Sequence, residues 1–280
     1  MLIFPWNYED QQARLCGFPP DKTWVIADFD GTISLDDGKS WEERVFHHSW
    51  SVLEYALWDD FKKIYRYLFS IFHKLEADPT LTPEKRKKIL KGWWNAIFNK
   101  MKKYLREHHL DDTLIAELHL RKGMAELIRW FAGSGIPVLI FSAGVANIIE
   151  MVIERDTIRG DVWLRSQIFV IANRLVFENG IFTRIEGQTV TSLNKHPAVH
   201  TFPSEIADRT HVILLWDSLH DAQMAGDHPP ENLLTVLFLN QWKHAQRERF
   251  LGASDIVVQS DMCIGWLGEF FSPLLNQTAS

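Results

Sequence analysis

A chain of 280 residues is about twice the usual domain length, so roughly two structural units are expected. Apolar residues make up 46% and charged residues 24%, with only 15 Gly and 11 Pro, which excludes a disordered chain, a collagen and a low-complexity protein. The 30 basic and 36 acidic residues leave a net charge of −6; this speaks against a nucleic-acid polymer as partner, since such a binder must neutralise many phosphates, but not against a small phosphorylated ligand.

Taken in chain order, the N-terminal ten residues lack the basic and long apolar regions of a signal peptide, and none is expected. Trp24–Ala27 is a short apolar run after a Pro-Pro-Asp turn and reads as a buried strand ending in Asp28. Residues 39–73 carry apolar side chains at three- and four-residue spacing, the mark of amphipathic helix. After a break at 77–80, Thr82-Pro83-Glu84 offers a capping residue, a proline at the first position and an acid in the first turn. A helix is expected from there to about His108, with Leu90, Trp93, Trp94, Ile97, Phe98 and Met101 on one side.

From residue 122 the pattern changes. A helix at 123–134 precedes the apolar strand Ile136–Phe141. Ser142-Ala143-Gly144 is expected to turn into a helix at 145–154. Strands are expected at 167–172, 211–216, 233–239 and 255–258. Glu178-Asn179-Gly180 between two apolar runs signals a hairpin. Strands alternating with helices imply an α/β fold, a Rossmann-like, mostly parallel sheet. The helical block at 35–120 cannot continue that sheet and reads as an inserted cap, leaving 1–34 and 121–280 as the core. No stretch is apolar enough to span a membrane. Cys16 and Cys263 are the only cysteines and read as free thiols of a reducing, cytosolic setting.

Ligands of open α/β sheets gather at the carboxyl ends of strands, and three such ends carry suggestive groups. Asp28-Phe29-Asp30-Gly31-Thr32 offers two carboxylates, which alternation sends to one side, able to hold a divalent cation or divide nucleophilic and acid/base work. A capped turn is the bland alternative. A calcium loop counted from Asp28 would need Gly and Glu where Ile33 and Lys39 stand. Ser142 with the free N–H groups of a helix start offers an anion site, though most such turns are merely turns. Asp217 ends the third strand with Asp221 one turn later, where helix capping is the alternative. Lys195 supplies a cation between the second and third of these groups; a lone lysine is usually just solvated.

The ordered set is more specific than its parts. It resembles the haloacid dehalogenase superfamily of phosphohydrolases. Ile140–Gly144, Phe177–Gly180, Asn194–His196, Asp217-Ser218 with Asp221 and Met224-Ala225, and Glu76–Thr82 are similar to the cytosolic pyrimidine 5′-nucleotidase (5′-nucleotidase III) family, over about residues 20–260. The resemblance implies a nucleophile at Asp28, an acid/base at Asp30, and Mg²⁺ on the Asp28 carboxylate, the Asp30 carbonyl and Asp217, with Asp221 in support. Ser142, the Ala143 N–H and Lys195 would hold phosphate oxygens. Glu76 would contact the base of a nucleotide and Trp94 would stack on it, although Trp94 also fits a simple core stripe. Trp216 replaces a glycine before the metal-site Asp217 and is expected to narrow the site. Gly31 replaces a methionine of many relatives. Ile97 stands where some relatives carry a hydroxyl, which weakens the case for pyrimidines. The expected activity is Mg²⁺-dependent hydrolysis of nucleoside 5′-monophosphates. A phosphatase of another small phosphoester, or a non-catalytic nucleotide-binding protein on the same fold, stands as the alternative. His47, His48 and His244 read as surface or interhelical residues.

Overall fold

The computed structural model describes residues 8–35, 46, 48–57, 63, 67, 70, 71, 75, 80–197, 199–226, 228–240, 248, 250, 252–259 and 264–275. Glu76, most of the 39–73 block, the break at 77–79, His47, His244 and Cys263 lie outside the described residues. Cys16 is a free, exposed thiol.

Six parallel strands form the main sheet: β1 (Thr23–Ala27), β2 (Val138–Val145), β3 (Ile168–Asn173), β6 (His211–Trp216), β7 (Leu233–Leu239) and β8 (Ile256–Gln259). Their order is β3-β2-β1-β6-β7-β8. The remaining pair, β4 (Leu175–Glu178) and β5 (Ile181–Ile185), forms the expected antiparallel hairpin. Asn179 and Gly180 there take φ of 51° and 73°, the positive values that an Asn-Gly turn tolerates.

The strands are apolar runs because both faces are covered. Val25, Ala27, Ile213 and Leu215 enter one apolar cluster, while Trp24, Ile26, Val212, Leu214 and Trp216 enter a second on the other face. Alternation along each strand produces that division. A fully buried aliphatic side chain such as Ile213 contributes roughly 1.5–3 kcal/mol. Trp216 is buried 6.5 Å from the Phe250 ring. It therefore faces away from its neighbour Asp217 and does not narrow the site, contrary to the expectation from its bulk.

Helix α1 (Tyr8–Leu15) precedes the sheet; α2 (Ser49–Ala56) and α3 (Pro83–Tyr104) stand between β1 and β2 in the chain. Thr82 accepts the Lys85 N–H at 3.3 Å and Pro83 opens α3, as its sequence predicts. The helix stops four residues short of His108. Leu105 turns extended, and its carbonyl accepts the Phe182 N–H of β5. A tertiary partner, with no proline or glycine signal, ends it. The apolar stripe of α3 is buried in the same cluster that covers the sheet. The segments leaving and re-entering the sheet lie side by side: Leu35 N–H donates to His119 O and Arg121 N–H to Ile33 O. Helix α4 (Met124–Gly133) leads into β2, α5 (Ala146–Ile153) follows it, and α6 (Trp266–Phe271) closes the fold. Among the described residues no helix is long and apolar enough to cross a membrane.

Ser142–Gly144 does not form the expected turn. The strand continues to Val145, which pairs with Asn173 after a register shift. Ser142–Gly144 therefore lie in the irregular stretch of β2 between its Phe141 and Val145 pairings, before α5 starts at Ala146.

Candidate active site

The sheet order reverses at β1, with β2 and β3 on one side and β6, β7 and β8 on the other. Such a switch point leaves a crevice at the carboxyl ends of the strands. Asp28 follows β1, Asp217 follows β6, and Ser142 lies late in β2. Topology thus brings together residues spread over nearly 200 positions.

Asp28, Asp217 and Asp221 are all buried, and one carboxylate oxygen from each lies within 4.8 Å of the others. Lys195 is buried among them. Its Nζ donates to Asp28 Oδ1 at 2.5 Å and to Asp221 Oδ1 at 2.8 Å. Asp221 Oδ2 also accepts the Ser218 N–H at 3.1 Å, which fixes the turn after β6. Burial pulls the Lys195 ammonium down, but the Asp221 and Asp28 carboxylates more than reverse this and hold it above the ordinary lysine range. Burial raises the Asp28 carboxyl well above the usual carboxylate range; Lys195 opposes the shift, while Asp221, Asp217 and Asp30 add to it. Lys195 is the ammonium in contact with Asp28 and Asp221, and Asp217 accepts from Asn240; three carboxylates this close together repel one another, and a further cation among them would relieve that cost. The donors are all oxygen, the set that suits a hard divalent ion.

Asp30 goes elsewhere. Regular alternation ends with β1, because Phe29–Ile33 forms a tight turn in which Gly31 has φ of 83°. The Asp30 carboxylate meets α2: Oδ1 accepts the Ser49 N–H at 2.9 Å and Oδ2 the Ser49 hydroxyl at 3.3 Å. The two acids of Asp28-Phe29-Asp30 therefore have different partners rather than forming one matched pair. Ser142 is buried, and its Oγ accepts the Gly144 N–H at 2.9 Å. The Ala143 carbonyl accepts from Trp50 Nε1 at 3.0 Å and Asn173 Nδ2 at 2.8 Å, which fixes the Ala143–Gly144 peptide.

Two residues that the sequence reading missed hold the Asp28–Thr32 turn. Arg121 is buried and donates to Thr32 O at 3.1 Å, Gly31 O at 2.9 Å and Asn240 Oδ1 at 3.1 Å. Asn240 Nδ2 donates to Asp217 Oδ2 at 2.9 Å and Gly31 O at 3.1 Å. A polar residue ending the apolar run 233–239 was a usable signal for Asn240. Arg121 had none. A Cβ on Gly31 would fall 2.7 Å from Asp217 Oδ2 and 3.0 Å from Asn240 Nδ2. Gly31→Ala is accordingly expected to lower stability by about 1–2 kcal/mol through the positive φ alone, and to displace Asp217. Thermal melting with and without Mg²⁺ checks both effects: Tm falls, and any stabilisation by Mg²⁺ falls with it.

Trp94 is buried among aromatic rings, with Trp50 at 5.0 Å, Trp93 at 4.8 Å and Phe98 stacked at 5.3 Å. Its indole N–H has no hydrogen-bond partner among the described residues. Trp94 also borders a cavity of about 570 Å³ between α3 and the 187–199 segment, lined further by Lys87, Lys91, Asn95, Gln188, Thr191 and Asn194. A larger cavity of about 810 Å³ around Glu107, Asp112, Glu150 and Arg155 shares no residue with the carboxylate cluster. Ile97 is buried and apolar. His48 precedes α2 as its half-buried N-cap.

A parallel sheet with helices between its first two strands, and aspartates at the switch point, is the haloacid dehalogenase fold that the sequence resemblance implies. The fold is shared with cytosolic 5′-nucleotidase IIIB bound to cytidine, at 23% identity and a TM-score of 0.72, covering 96% of this chain and 91% of that one. It is shared also with a probable phosphoserine phosphatase from Vibrio cholerae, at 15% identity and a TM-score of 0.54, covering 95% of this chain and 69% of that one. Residues 39–270 match the pyrimidine 5′-nucleotidase (UMPH-1) family, and the chain belongs to it. It is a phosphoric monoester hydrolase, a nucleotidase on the haloacid dehalogenase fold. Its relatives include the 7-methylguanosine phosphate-specific 5′-nucleotidases of Gallus gallus, 28% identical over 268 residues, and of Homo sapiens, 26% identical over 266 residues. The matches cover 92% of this chain in both cases, and 89% and 86% of the respective relatives.

Proposed function

We propose that the chain hydrolyses nucleoside 5′-monophosphates through an aspartyl-phosphate on Asp28, with Mg²⁺ as cofactor. The observation that carries this reading is the buried Asp28–Lys195–Asp221–Asp217 cluster at the switch point. Phosphate monoester hydrolysis demands accelerations up to about 10²¹, whereas one general acid or base supplies roughly 10²–10⁴. Charge stabilisation and covalent catalysis must therefore act together. Lys195 offsets charge on the phosphoryl oxygens and lets an anionic Asp28 approach a dianion. Ser142 and the Ala143 N–H hold the remaining phosphate oxygens. As the bond from Asp28 to phosphorus forms, the bond to O5′ breaks, and Asp30 gives its proton to the departing oxygen. Asp30 then takes a proton from water, whose oxygen attacks phosphorus and releases phosphate and Asp28. Asp28, the Asp30 carbonyl and Asp217 would hold Mg²⁺, supported by Asp221; the ion supplies Lewis-acid charge neutralisation.

We place the helical cap at residues 35–120, since its two junctions run side by side at Ile33–Leu35 and His119–Arg121. The cap offers Trp94 to the base, and Lys85, Arg86, Lys87, Lys88 and Lys91 make the first turns of α3 strongly positive in an acidic chain. A positive rim draws in a dianionic nucleotide. Glu76 keeps its proposed role on the base through the family resemblance alone. Stacking is tolerant of base identity, and Ile97 brings no hydroxyl, so discrimination between bases falls to Glu76. Cytidine, uridine and 7-methylguanosine monophosphates are the panel to compare: stacking alone keeps them within about 10–200-fold in kcat/KM, and a Glu76 hydrogen bond to the base widens that span. We place this activity in the cytosol, the setting in the name of the structural relative.

Phosphate release from that panel, with and without Mg²⁺, tests the reading. Release that is unaffected by chelation, or confined to baseless phosphoesters, contradicts it. The metal assignment has a readout apart from turnover. An acid whose folded pKa is raised costs stability as pH climbs from its unfolded value to its folded one, so the Asp28 carboxyl is a burden on the metal-free chain that a bound cation would relieve. Mg²⁺ should raise Tm near neutral pH. Asp217→Asn should abolish that rise while melting higher than the metal-free parent, because one like charge is gone.

A further inference from the structure

Asp30 depends on a residue that lies 19 positions away and belongs to neither strand end. Ser49 opens α2 and gives Asp30 two donors, the main-chain N–H to Oδ1 and the hydroxyl to Oδ2. The same hydroxyl oxygen accepts the Val145 N–H at 3.0 Å, at the end of β2 beside the Ser142–Gly144 segment. Its one proton is directed to Asp30 and a lone pair to Val145, so the hydroxyl is fixed from both sides. A Cβ on Gly144 would collide with Ser49 Oγ and lie 3.0 Å from both Asp30 Oδ2 and Ser142 Oγ. Three functional oxygens thus converge on a point that only glycine leaves open. Trp50 holds the helix start in register, since its indole N–H donates to Ala143 O and its ring packs 5.0 Å from Trp94.

We infer that Ser49 is a positioning residue for the reaction: it fixes the Asp30 carboxyl group, so that proton transfer to the leaving oxygen depends on the first turn of a cap helix being docked on the phosphate-binding strand. The inference rests on the proposed acid/base role of Asp30. A residue that merely started a helix would affect all substrates alike. A residue that aims the acid matters only where the leaving group needs a proton. An alkoxide departing from a nucleotide needs one, whereas p-nitrophenolate departs as a stable anion.

The experiment compares kcat/KM for cytidine 5′-monophosphate and for p-nitrophenyl phosphate, because this constant reports steps up to leaving-group departure. Misplacing a reacting group by about 1 Å costs up to about 10²-fold. Ser49→Ala is expected to lower the ratio of nucleotide to p-nitrophenyl phosphate about 10–100-fold. Ser49→Thr and Ser49→Val guard against a folding defect, since they are nearly isosteric and differ in the hydroxyl. Threonine should restore the ratio and valine should not. Equal losses on both substrates, or equal ratios for threonine and valine, overturn the inference. Asp30→Asn separates the two layers. If it shifts the ratio and the Ser49 variants do not, the role of Ser49 fails and that of Asp30 stands. If Asp30→Asn leaves the ratio unchanged, the acid/base assignment fails and the inference with it.

Discussion

Asp28→Asn is expected to reduce kcat by about 10⁶-fold, the size of loss found when the nucleophile of a covalent hydrolase is removed. An amide cannot form the acyl-phosphate, and no other carboxylate can take over. Asp217 is tied to Asn240 and Asp221 to Lys195 and the Ser218 N–H, while Asp30 faces Ser49. The fold should survive, because burial and Asp221, Asp217 and Asp30 disfavour the charge that is removed, and Lys195, which favours it, keeps Asp221 as a partner. A melting curve no lower than the parent's, together with residual turnover near the detection limit, is the expected pair. Near-normal kcat in Asp28→Asn would rule out the covalent route. A fluoride-based phosphoryl mimic should be trapped on Asp28 in the parent and absent from the variant.

Lys195→Met should have the largest effect on stability. It removes the ammonium from between Asp28 and Asp221 and leaves buried carboxylates without their cation. Removing one partner of a buried pair costs roughly 3–5 kcal/mol. At roughly 2–4 °C per kcal/mol, Tm should fall by roughly 6–20 °C. Mg²⁺ should recover part of the loss, since it compensates the same carboxylates. The sign with pH follows from the raised folded pKa of Lys195. In the parent its contribution is complete below the ordinary lysine pKa and is lost only as pH climbs through the higher folded value. The Tm difference between parent and variant should therefore persist through neutral pH and shrink in strong alkali. A variant as stable as the parent at pH 7 would mean that the ammonium contributes nothing to the cluster.

Much of this is legible in the sequence, because the signals are local. Trp24–Ala27 and His211–Trp216 are apolar runs that a doubly covered parallel strand requires, and each is followed by the aspartate that reaches the site. Asn179-Gly180 carries its turn in its own φ preferences, and Thr82-Pro83-Glu84 carries its helix start. Asp28, Ser142, Lys195 and Asp217 were legible as polar groups at strand ends or between them, in an order that a whole superfamily shares.

What the tertiary structure alone decided is how those groups are partnered. Alternation counts residues along a strand, so it put Asp30 on the same side as Asp28; it could not anticipate that the strand ends at Ala27 and that the turn through Gly31 takes Asp30 to Ser49. The bulk of Trp216 suggested a crowded site, but its face of β6 belongs to the opposite cluster. The end of α3 at Tyr104 and the extension of β2 to Val145 depend on hydrogen bonds or pairing to Phe182 and Asn173, partners about 77 and 28 positions away. Arg121 and Asn240 lie 119 positions apart and meet only because the loop after β1 folds beneath both. Composition and periodicity fix which face of an element is buried and where a strand ends; which buried polar group satisfies which other is set by the packing of distant segments, and no local pattern encodes it.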